Sequence, residues 1–176
     1  MVVMLPDQFA TARLAFMLLA VEDAPLIFNT YAQDVNVARY MTWRPHNSLA
    51  ETEAYVASAL SGGSHTYLLR GRDDKRLHGV FEVRQPAPHW LGYGYLLARP
   101  SWGQGLMTEA LTAVVDWGLS QPGVWRIGDV CDVDNLASAR VMEQAGLARE
   151  ALLRRWALHP NLSEEPRDCF SYVRSR

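Results

Sequence analysis

Cysteine and histidine are scarce in this chain, which has 2 cysteines and 5 histidines among its 176 residues. Cys131 and Cys169 make neither a disulfide framework nor a zinc pattern, and the histidines are scattered without metal-ligand spacing. We therefore expect no metal site. We expect both cysteines to be buried, reduced thiols in a cytoplasmic protein.

Long basic and long apolar segments are also missing. No basic run is longer than Leu-Arg-Arg, and the net charge is −2, which argues against a nucleic-acid partner. No apolar stretch is long enough to cross a bilayer, and the start Met-Val-Val-Met-Leu-Pro-Asp lacks the basic region of a signal peptide. The remaining composition is ordinary, with 49% hydrophobic and 20% charged residues, so we expect residues 1–176 to form one globular domain.

The alternation of apolar and polar residues predicts the element order β-αα-βββ-α-β-α-ββ. Strands are predicted at Thr11–Leu19, Thr66–Arg70, Leu77–Arg84, His89–Ala98, Val124–Val133, Ala148–Leu158 and Asp168–Arg174. Helices are predicted from Glu22 to about Asp34, at Leu49–Leu60, from the following glycine turn to Ser120, and from Asp134 or Asn135 to Ala145. Hairpins and two crossover helices together predict an α/β (α+β) fold, with about four helices covering a mixed, mostly antiparallel sheet of about seven strands.

A glycine-rich turn between a strand and a helix is the most informative feature. The strand Leu91–Ala98 precedes Gly103 and Gly105, and a helix opens at Leu106. A helix N-terminus has free N–H groups and partial positive charge, and glycines there remove the side chains that would keep a phosphate away. Thr108 stands where a dinucleotide fingerprint has its third glycine, and a P-loop lysine is missing. The turn therefore predicts a cradle for a different pyrophosphate-bearing ligand.

Three segments resemble the GNAT superfamily of N-acetyltransferases. Motif A of that superfamily is similar to Gly92-Tyr93 followed by Arg99-Pro-Ser-Trp102-Gly103-Gln104-Gly105-Leu106-Met107-Thr108-Glu109-Ala110. Its N-x-x-S helix is similar to Asp132-Val-Asp-Asn135-Leu-Ala-Ser138-Ala-Arg140, ending at Gly146-Leu147. The ribosomal-protein N-terminal (RimJ/RimL-like) acetyltransferase branch is similar to Arg13-Leu14, Glu22-Asp23-Ala24, Arg39-Tyr40-Met41 and Glu51-Thr-Glu53-Ala54-Tyr55. The resemblance covers nearly the whole chain and implies a GNAT fold, whose sheet is splayed in the middle.

The resemblance also implies that acetyl-CoA is the cosubstrate. It would lie in a V-shaped opening where the strand His89–Ala98 separates from the strand Val124–Val133. Separated strands leave unpaired N–H and C=O groups, which a pantetheine arm can satisfy. The implied cofactor-binding residues are Leu96, Leu97 and Ala98 for the pantetheine, Trp102, Gly103, Gln104, Gly105, Leu106, Met107 and Thr108 for the pyrophosphate, and Asn135 and Ser138 near the thioester.

The implied reaction is direct attack of an amine on the thioester in a ternary complex. Many relatives carry a tyrosine as general acid where this chain has Met142, so Ser138, one helical turn earlier, is the candidate acid. No base is unambiguous, because Ala157 falls near the place where relatives carry an acidic residue. Glu82 and His159 are the candidate bases. The structural alternatives are an exposed strand residue for Glu82, a loop histidine for His159 and a first-turn helix residue for Ser138.

A weak base favours acceptors of low amine pKa. An α-amine with a pKa of about 7.7–8.0 is partly neutral near pH 7, whereas a lysine side chain at about 10.4 is almost wholly protonated. We therefore expect a protein or peptide N-terminal α-amine as acceptor, with Trp43, Arg44 and Tyr93 as candidate walls of its site. A small-molecule acceptor (antibiotic, polyamine or amino acid) and a non-catalytic acyl-CoA-binding module stay open. A C-terminal edge strand makes a homodimer possible.

Overall fold

Within residues 6–176, which this computed structural model describes, eight strands form one sheet. The strands are β1 (Gln8–Ala10), β2 (Leu14–Leu18), β3 (His65–Gly71), β4 (Leu77–Ala87), β5 (Trp90–Leu97), β6 (Arg126–Asp132), β7 (Ala148–Ala157) and β8 (Arg167–Ser175). Their spatial order is β1-β2-β3-β4-β5-β6-β8-β7. Neighbouring strands are antiparallel except for β5 and β6, which are parallel and are joined by a helical crossover.

The α-helices of the described chain are α1 (Ala24–Ile27), α2 (Val35–Ala38), α3 (Leu49–Ser61), α4 (Leu106–Ser120) and α5 (Leu136–Gln144). Local signals set their starts. The hydroxyl of Ser48 accepts the N–H of Glu51, as their spacing predicts, whereas the carboxylate of Glu51 accepts the N–H of Asn47, one residue before the cap, and not that of Ser48. The amide oxygen of Asn135 accepts the N–H of Ser138 and caps α5.

Two hydrophobic cores lie on opposite faces of the sheet. Side chains alternate along β4, so Val80 packs with the N-terminal helices α1 and α3, while Phe81 and Val83 pack with α4. Helix α4 buries its apolar positions at spacings of three and four, as expected for a helix that packs on a sheet. Gly118 allows close packing, because a Cβ there would lie 2.3 Å from Cδ1 of Ile127. The sheet therefore separates the two cores, and the face on which a strand side chain lies decides which core it contacts.

The predicted α/β fold class is confirmed, with two corrections. The sheet has one strand more than the expected seven, because the short β1 pairs with β2. The expected continuous helix from Glu22 to about Asp34 is broken into a 3-10 turn (Val21–Asp23), α1 and a π turn (Phe28–Ala32). A π turn adds one residue to a helical repeat and has no composition signal of its own.

Candidate active site

The gap between β5 and β6 is the centre of the candidate site. The parallel ladder between these strands consists of the pairs Trp90–Arg126 and Leu91–Ile127. Just beyond it, the N–H of Tyr93 donates to the carboxylate of Asp129 at 3.0 Å, where a ladder partner would otherwise stand. The strands therefore separate after two residue pairs, and a side chain satisfies the first backbone group that the separation leaves free.

The carboxylate of Asp129 closes the narrow end of this gap. Burial raises the pKa of Asp129, and the guanidinium of Arg84, with Nη2 2.5 Å from Oδ2, acts in the opposite direction together with two backbone N–H groups. Arg84 also lies 4.0 Å from Glu82. The narrow end thus carries two carboxylates and one guanidinium, all outside the apolar core around α4.

Alternation along β5 decides which backbone groups face the gap. The N–H of Ala98 donates to the carbonyl of His78 at 2.8 Å, toward β4. The backbone groups of Leu96 therefore also point to β4, and those of Leu97 and Tyr95 point to the gap. The carbonyl of Leu97 already accepts the indole N–H of Trp102 at 2.8 Å.

This geometry corrects the expectation for the pantetheine-binding strand. Leu96 and Ala98 have their N–H groups in the ladder with β4, so they do not offer them to a ligand in the gap. The N–H groups of Tyr95 and Leu97 face the gap instead. The sequence identified the correct strand, but the side that each amide faces depends on the register with β4, which is not a local property.

The loop before α4 has the form of an anion cradle. Gly103 and Gly105 both have a φ of +72°, in the left-handed region that favours glycine, and a Cβ on Gly103 would meet nothing within 4 Å. The N–H groups of Leu106, Met107 and Thr108 have no acceptor within residues 6–176, whereas the N–H of Trp102 donates to the carbonyl of Arg99. These free amides at a helix N-terminus fit the diphosphate of coenzyme A.

Side chains around the loop hold its shape. The side-chain amide of Gln104 donates to the carbonyl of Pro100 at 2.8 Å, and the hydroxyl of Thr108 bonds Gln144 of α5 at 3.1 Å. Arg13, from the turn between β1 and β2, donates to the carbonyl of Gln104 at 2.9 Å. The cradle is therefore braced from both of its flanks.

Glu109 fixes Arg13 in that position. One oxygen of its carboxylate accepts the hydroxyl of Thr11 at 2.5 Å and the N–H of Arg13 at 2.8 Å, and the other accepts Nε of Arg13 at 2.6 Å. Burial acts to raise the pKa of Glu109, but the hydrogen bonds from Thr11 and Arg13 outweigh it and hold that pKa below its usual range. Sequence reasoning missed this clamp, because Arg13 and Glu109 are 96 positions apart.

Ser138 reaches β5 from the other side of the gap. Its N–H is held by the cap residue Asn135, and its Oγ lies 2.9 Å from the hydroxyl of Tyr95.

Cys131 and Cys169 are free and buried, as the sequence predicts. Burial raises the pKa of the Cys131 thiol to about 12, which makes it a poor nucleophile near neutral pH.

Glu82 lies beside the same part of β5 as Ser138, but on the face of the sheet that α3 covers. The register places it opposite Gly94, and its Oε2 would lie 3.5 Å from a Cβ on that glycine. Its side chain is 39% exposed, so the carboxylate rests against bare strand and is open to solvent. Glu82 and Ser138 therefore meet neighbouring residues of one strand, Gly94 and Tyr95.

His159 lies farther along, beside the last residue of β6. It is buried, its Nε2 is 3.7 Å from the carboxylate of Asp132, and neither ring nitrogen has a hydrogen-bond partner within residues 6–176. The ring of Tyr40 packs edge-on against it. The amide of Asn161 donates to the carbonyls of Ala38 and Trp43, which ties the loop after β7 to the N-terminal helices.

The three candidate acceptor residues lie in different surroundings. Trp43 packs against the rings of His46 and Tyr55 at centroid distances of 5.2 and 6.3 Å, on the same face as Glu82. Arg44 is exposed and has no hydrogen bond or ion pair within residues 6–176. The expectation that Tyr93 lines the acceptor site is corrected. Its side chain is 2% exposed and belongs to the core around α4, so it does not line an opening. Side-chain alternation on β5 sends Tyr93 and Tyr95 to the side opposite Glu82.

Comparison with known proteins agrees with this geometry. The family model of the acetyltransferase (GNAT) domain matches residues 13–148, so the chain belongs to the GNAT acetyltransferase family. It is 27% identical over 172 residues to the uncharacterized N-acetyltransferase YoaA of Bacillus subtilis (strain 168), covering 94% of this chain and 96% of that protein. Acetyl-CoA-dependent N-acetyl transfer is therefore its activity.

Two solved structures show the same fold. One is RimL, the ribosomal L7/L12 alpha-N-protein acetyltransferase, in complex with coenzyme A, with a TM-score of 0.80, 21% identity and coverage of 94% of this chain and 95% of that one. The other is spermidine N-acetyltransferase from Vibrio cholerae in complex with CoA and spermine, with a TM-score of 0.75, 16% identity and coverage of 92% and 95%. One of these neighbours acetylates a protein and the other a polyamine, so the shared fold leaves the acceptor open.

Two further findings concern the described residues alone. No group of three or more His, Cys, Asp or Glu side chains there is arranged to hold a metal ion. No helix there is long and apolar enough to cross a membrane.

Loss of the clamp that Glu109 and Arg13 form on the loop before α4 is expected to weaken coenzyme A binding. Glu109→Gln removes the charge that orients Arg13, so the Kd for coenzyme A should rise about tenfold, the equivalent of one charge-assisted hydrogen bond. Titration calorimetry measures this directly. Glu150→Gln is the matched control, because it breaks an exposed pair with Arg126, also at 2.6 Å, away from the loop. Equal Kd values for the two variants would contradict the clamp.

Proposed function

We propose that this enzyme acetylates the N-terminal α-amine of a protein or peptide, by direct attack of the amine on acetyl-CoA. The observation that carries the proposal is the placement of Glu82 and Ser138 at Gly94 and Tyr95, on opposite sides of one strand. An acid–base pair that approaches a thioester from two sides suits amine attack with thiolate departure.

The chain's own residues divide the task as follows. The N–H groups of Tyr95 and Leu97 and the amides at the start of α4 hold and align coenzyme A. Asn135 fixes the first turn of α5, and Ser138 donates a hydrogen bond to the sulfur, which stabilises the thiolate as the carbon–sulfur bond breaks. Glu82 takes the proton of the attacking amine, directly or through one water. His159 is the second candidate base, since its ring nitrogens are unpartnered beside Asp132.

The charge around Glu82 supports an α-amine. Glu82 and Asp129 share Arg84, so this face offers little net negative charge to a polycation such as a polyamine. The rings of Trp43, His46 and Tyr55 lie on the same face and offer flat apolar surface to the first residues of a peptide. An acceptor amine that is already partly neutral needs least help from a base, which favours an α-amine over a lysine side chain.

An acceptor panel tests the proposal. Thiol release from acetyl-CoA is measured with peptides that have a free N-terminus, with the same peptides N-terminally blocked but carrying lysine, and with polyamines. We expect the highest kcat/KM for free α-amines. Faster turnover of polyamines or lysine side chains would contradict the assignment of the acceptor. Coenzyme A binding without turnover of any amine would favour the acyl-CoA-binding module.

A further inference from the structure

Tyr95 provides a hydroxyl group at the point where Ser138 enters the gap. Its Oη lies 2.9 Å from the Oγ of Ser138 and 3.4 Å from the carbonyl oxygen of the same residue. Tyr95 is on β5 and Ser138 is on α5, 43 positions later in the chain. This contact joins β5, which borders the gap, to α5, and it is made by the side chain assigned to the sulfur.

The ring of Tyr95 is held rigidly. It stacks on Tyr93 at a centroid distance of 5.9 Å with 6° between the planes, and it packs at 5.9 Å against Phe81 of β4. Both neighbours belong to the core around α4. A phenol fixed on two sides keeps its hydroxyl in one place, so it can orient the hydroxyl of Ser138, which also hydrogen-bonds with the thiol of Cys131.

Either hydroxyl can donate in this contact, and the proposal needs the arrangement in which Tyr95 donates. Burial raises the pKa of Tyr95 well above its ordinary value, and the hydrogen bond to Ser138 offsets only part of that rise. Tyr95 therefore keeps its hydrogen at working pH and can donate it to the Oγ of Ser138. A serine hydroxyl has one hydrogen and two lone pairs, so Ser138 can accept from Tyr95 and still donate elsewhere.

We propose that Tyr95 is a positioning residue for Ser138, and that its hydroxyl turns the hydrogen of Ser138 toward the sulfur of acetyl-CoA. The inference rests on the proposed function, in which Ser138 donates to that sulfur. No proton leaves Tyr95. The nitrogen–carbon bond forms, the carbon–sulfur bond breaks with its electron pair going to sulfur, and Ser138 stabilises the resulting charge. The proton of the amine goes to the base.

Tyr95→Phe and Tyr93→Phe form a matched pair for the test. The two tyrosines are two residues apart on one strand and stack on each other. Each substitution removes only the hydroxyl group. The hydroxyl of Tyr93 is buried and has no hydrogen-bond partner within residues 6–176, so its loss should leave activity unchanged. Tyr95→Phe should lower kcat about tenfold, which is the usual scale for one hydrogen bond. The KM for acetyl-CoA should be unchanged.

The ionisation of bound coenzyme A gives a readout that does not depend on turnover. A donor hydroxyl favours the thiolate, so the pKa of the bound thiol should rise by about 1 in Tyr95→Phe, the equivalent of a tenfold change. Ultraviolet absorbance of the thiolate, titrated against pH, measures it. Ser138→Ala should raise the same pKa, and the double variant should add little, because both substitutions remove one interaction.

The outcomes separate the two proposals. If wild-type protein binds coenzyme A and acetylates an amine while Tyr95→Phe titrates and turns over like Tyr93→Phe, Tyr95 does not position Ser138 and the proposed function stands. Additive effects of Tyr95→Phe and Ser138→Ala would also overturn the coupling. If wild-type protein takes up no coenzyme A, the proposed function itself fails.

Discussion

Asp132→Asn is expected to lower the free energy of unfolding by about 2 kcal/mol, the scale for hydrogen bonds to a charged group, because Asp132 is buried but Arg167 is partly exposed. The side chain of Asp132 is 0% exposed. Its carboxylate accepts Nε and Nη2 of Arg167 at 2.5 and 3.1 Å and the N–H of Asp134 at 2.9 Å. Asparagine keeps the shape but replaces an acceptor oxygen with a donor, so Arg167 loses its buried counter-charge.

Asp134→Asn is the control for that prediction. Asp134 pairs with the same guanidinium at 2.6 Å, but its side chain is 69% exposed, so its loss should cost about 0.5 kcal/mol or less. Urea unfolding of the two variants and the wild type makes the comparison. Equal midpoints for Asp132→Asn and Asp134→Asn would show that burial of the Asp132 carboxylate does not stabilise the fold.

The destabilisation should depend on pH in a defined direction. Burial acts to raise the pKa of Asp132, but the hydrogen bonds from Arg167 and the N–H of Asp134 outweigh it and hold that pKa below its usual range. A depressed carboxyl pKa contributes stability above the unfolded-state value of about 3.9, and the contribution is lost as pH falls through the folded-state value. The stability difference between wild type and Asp132→Asn should therefore be constant near neutrality and narrow in acid. A difference that widens in acid would contradict this linkage.

The parts of the fold that the sequence predicted have short-range causes. The glycines at 103 and 105 are predicted as a turn and have positive φ, and the spacing of Ser48 and Glu51 predicts the cap of α3. The apolar positions of α4 predict a largely buried helix. Each of these signals lies within about one or two turns of chain, where local steric and hydrogen-bonding rules apply.

The parts that the sequence did not predict depend on pairing between distant strands. The register of β4 with β5 decides that Tyr95 and Leu97, rather than Leu96 and Ala98, face the gap. The same pairing, together with the position of α5, brings Tyr95 to Ser138. A shift of one residue would exchange every side chain and amide between the two faces, and nothing near these residues in the sequence sets that register.

Glu82→Gln should lower kcat/KM by about 10²-fold or more, the usual contribution of a general base, with little change in the Kd for coenzyme A. The variant keeps the shape of the side chain beside Gly94 and the contact with Arg84, and it loses the ability to take a proton. Glu53→Gln makes the same change at an exposed position of α3, on the same side of the sheet, and should behave as wild type.

The pH dependence of kcat, read separately from KM, distinguishes base catalysis from simple electrostatic attraction at Glu82. A base is needed most when the acceptor is protonated, so the defect of Glu82→Gln should be largest well below the pKa of the acceptor amine and should shrink above it. A carboxylate that merely attracts the ammonium form would raise the KM for the amine and leave kcat unchanged, whereas loss of a base lowers kcat. His159→Asn completes the comparison, because a larger and pH-dependent defect there, with Glu82→Gln near wild type, would move the base from β4 to the buried pair of His159 and Asp132.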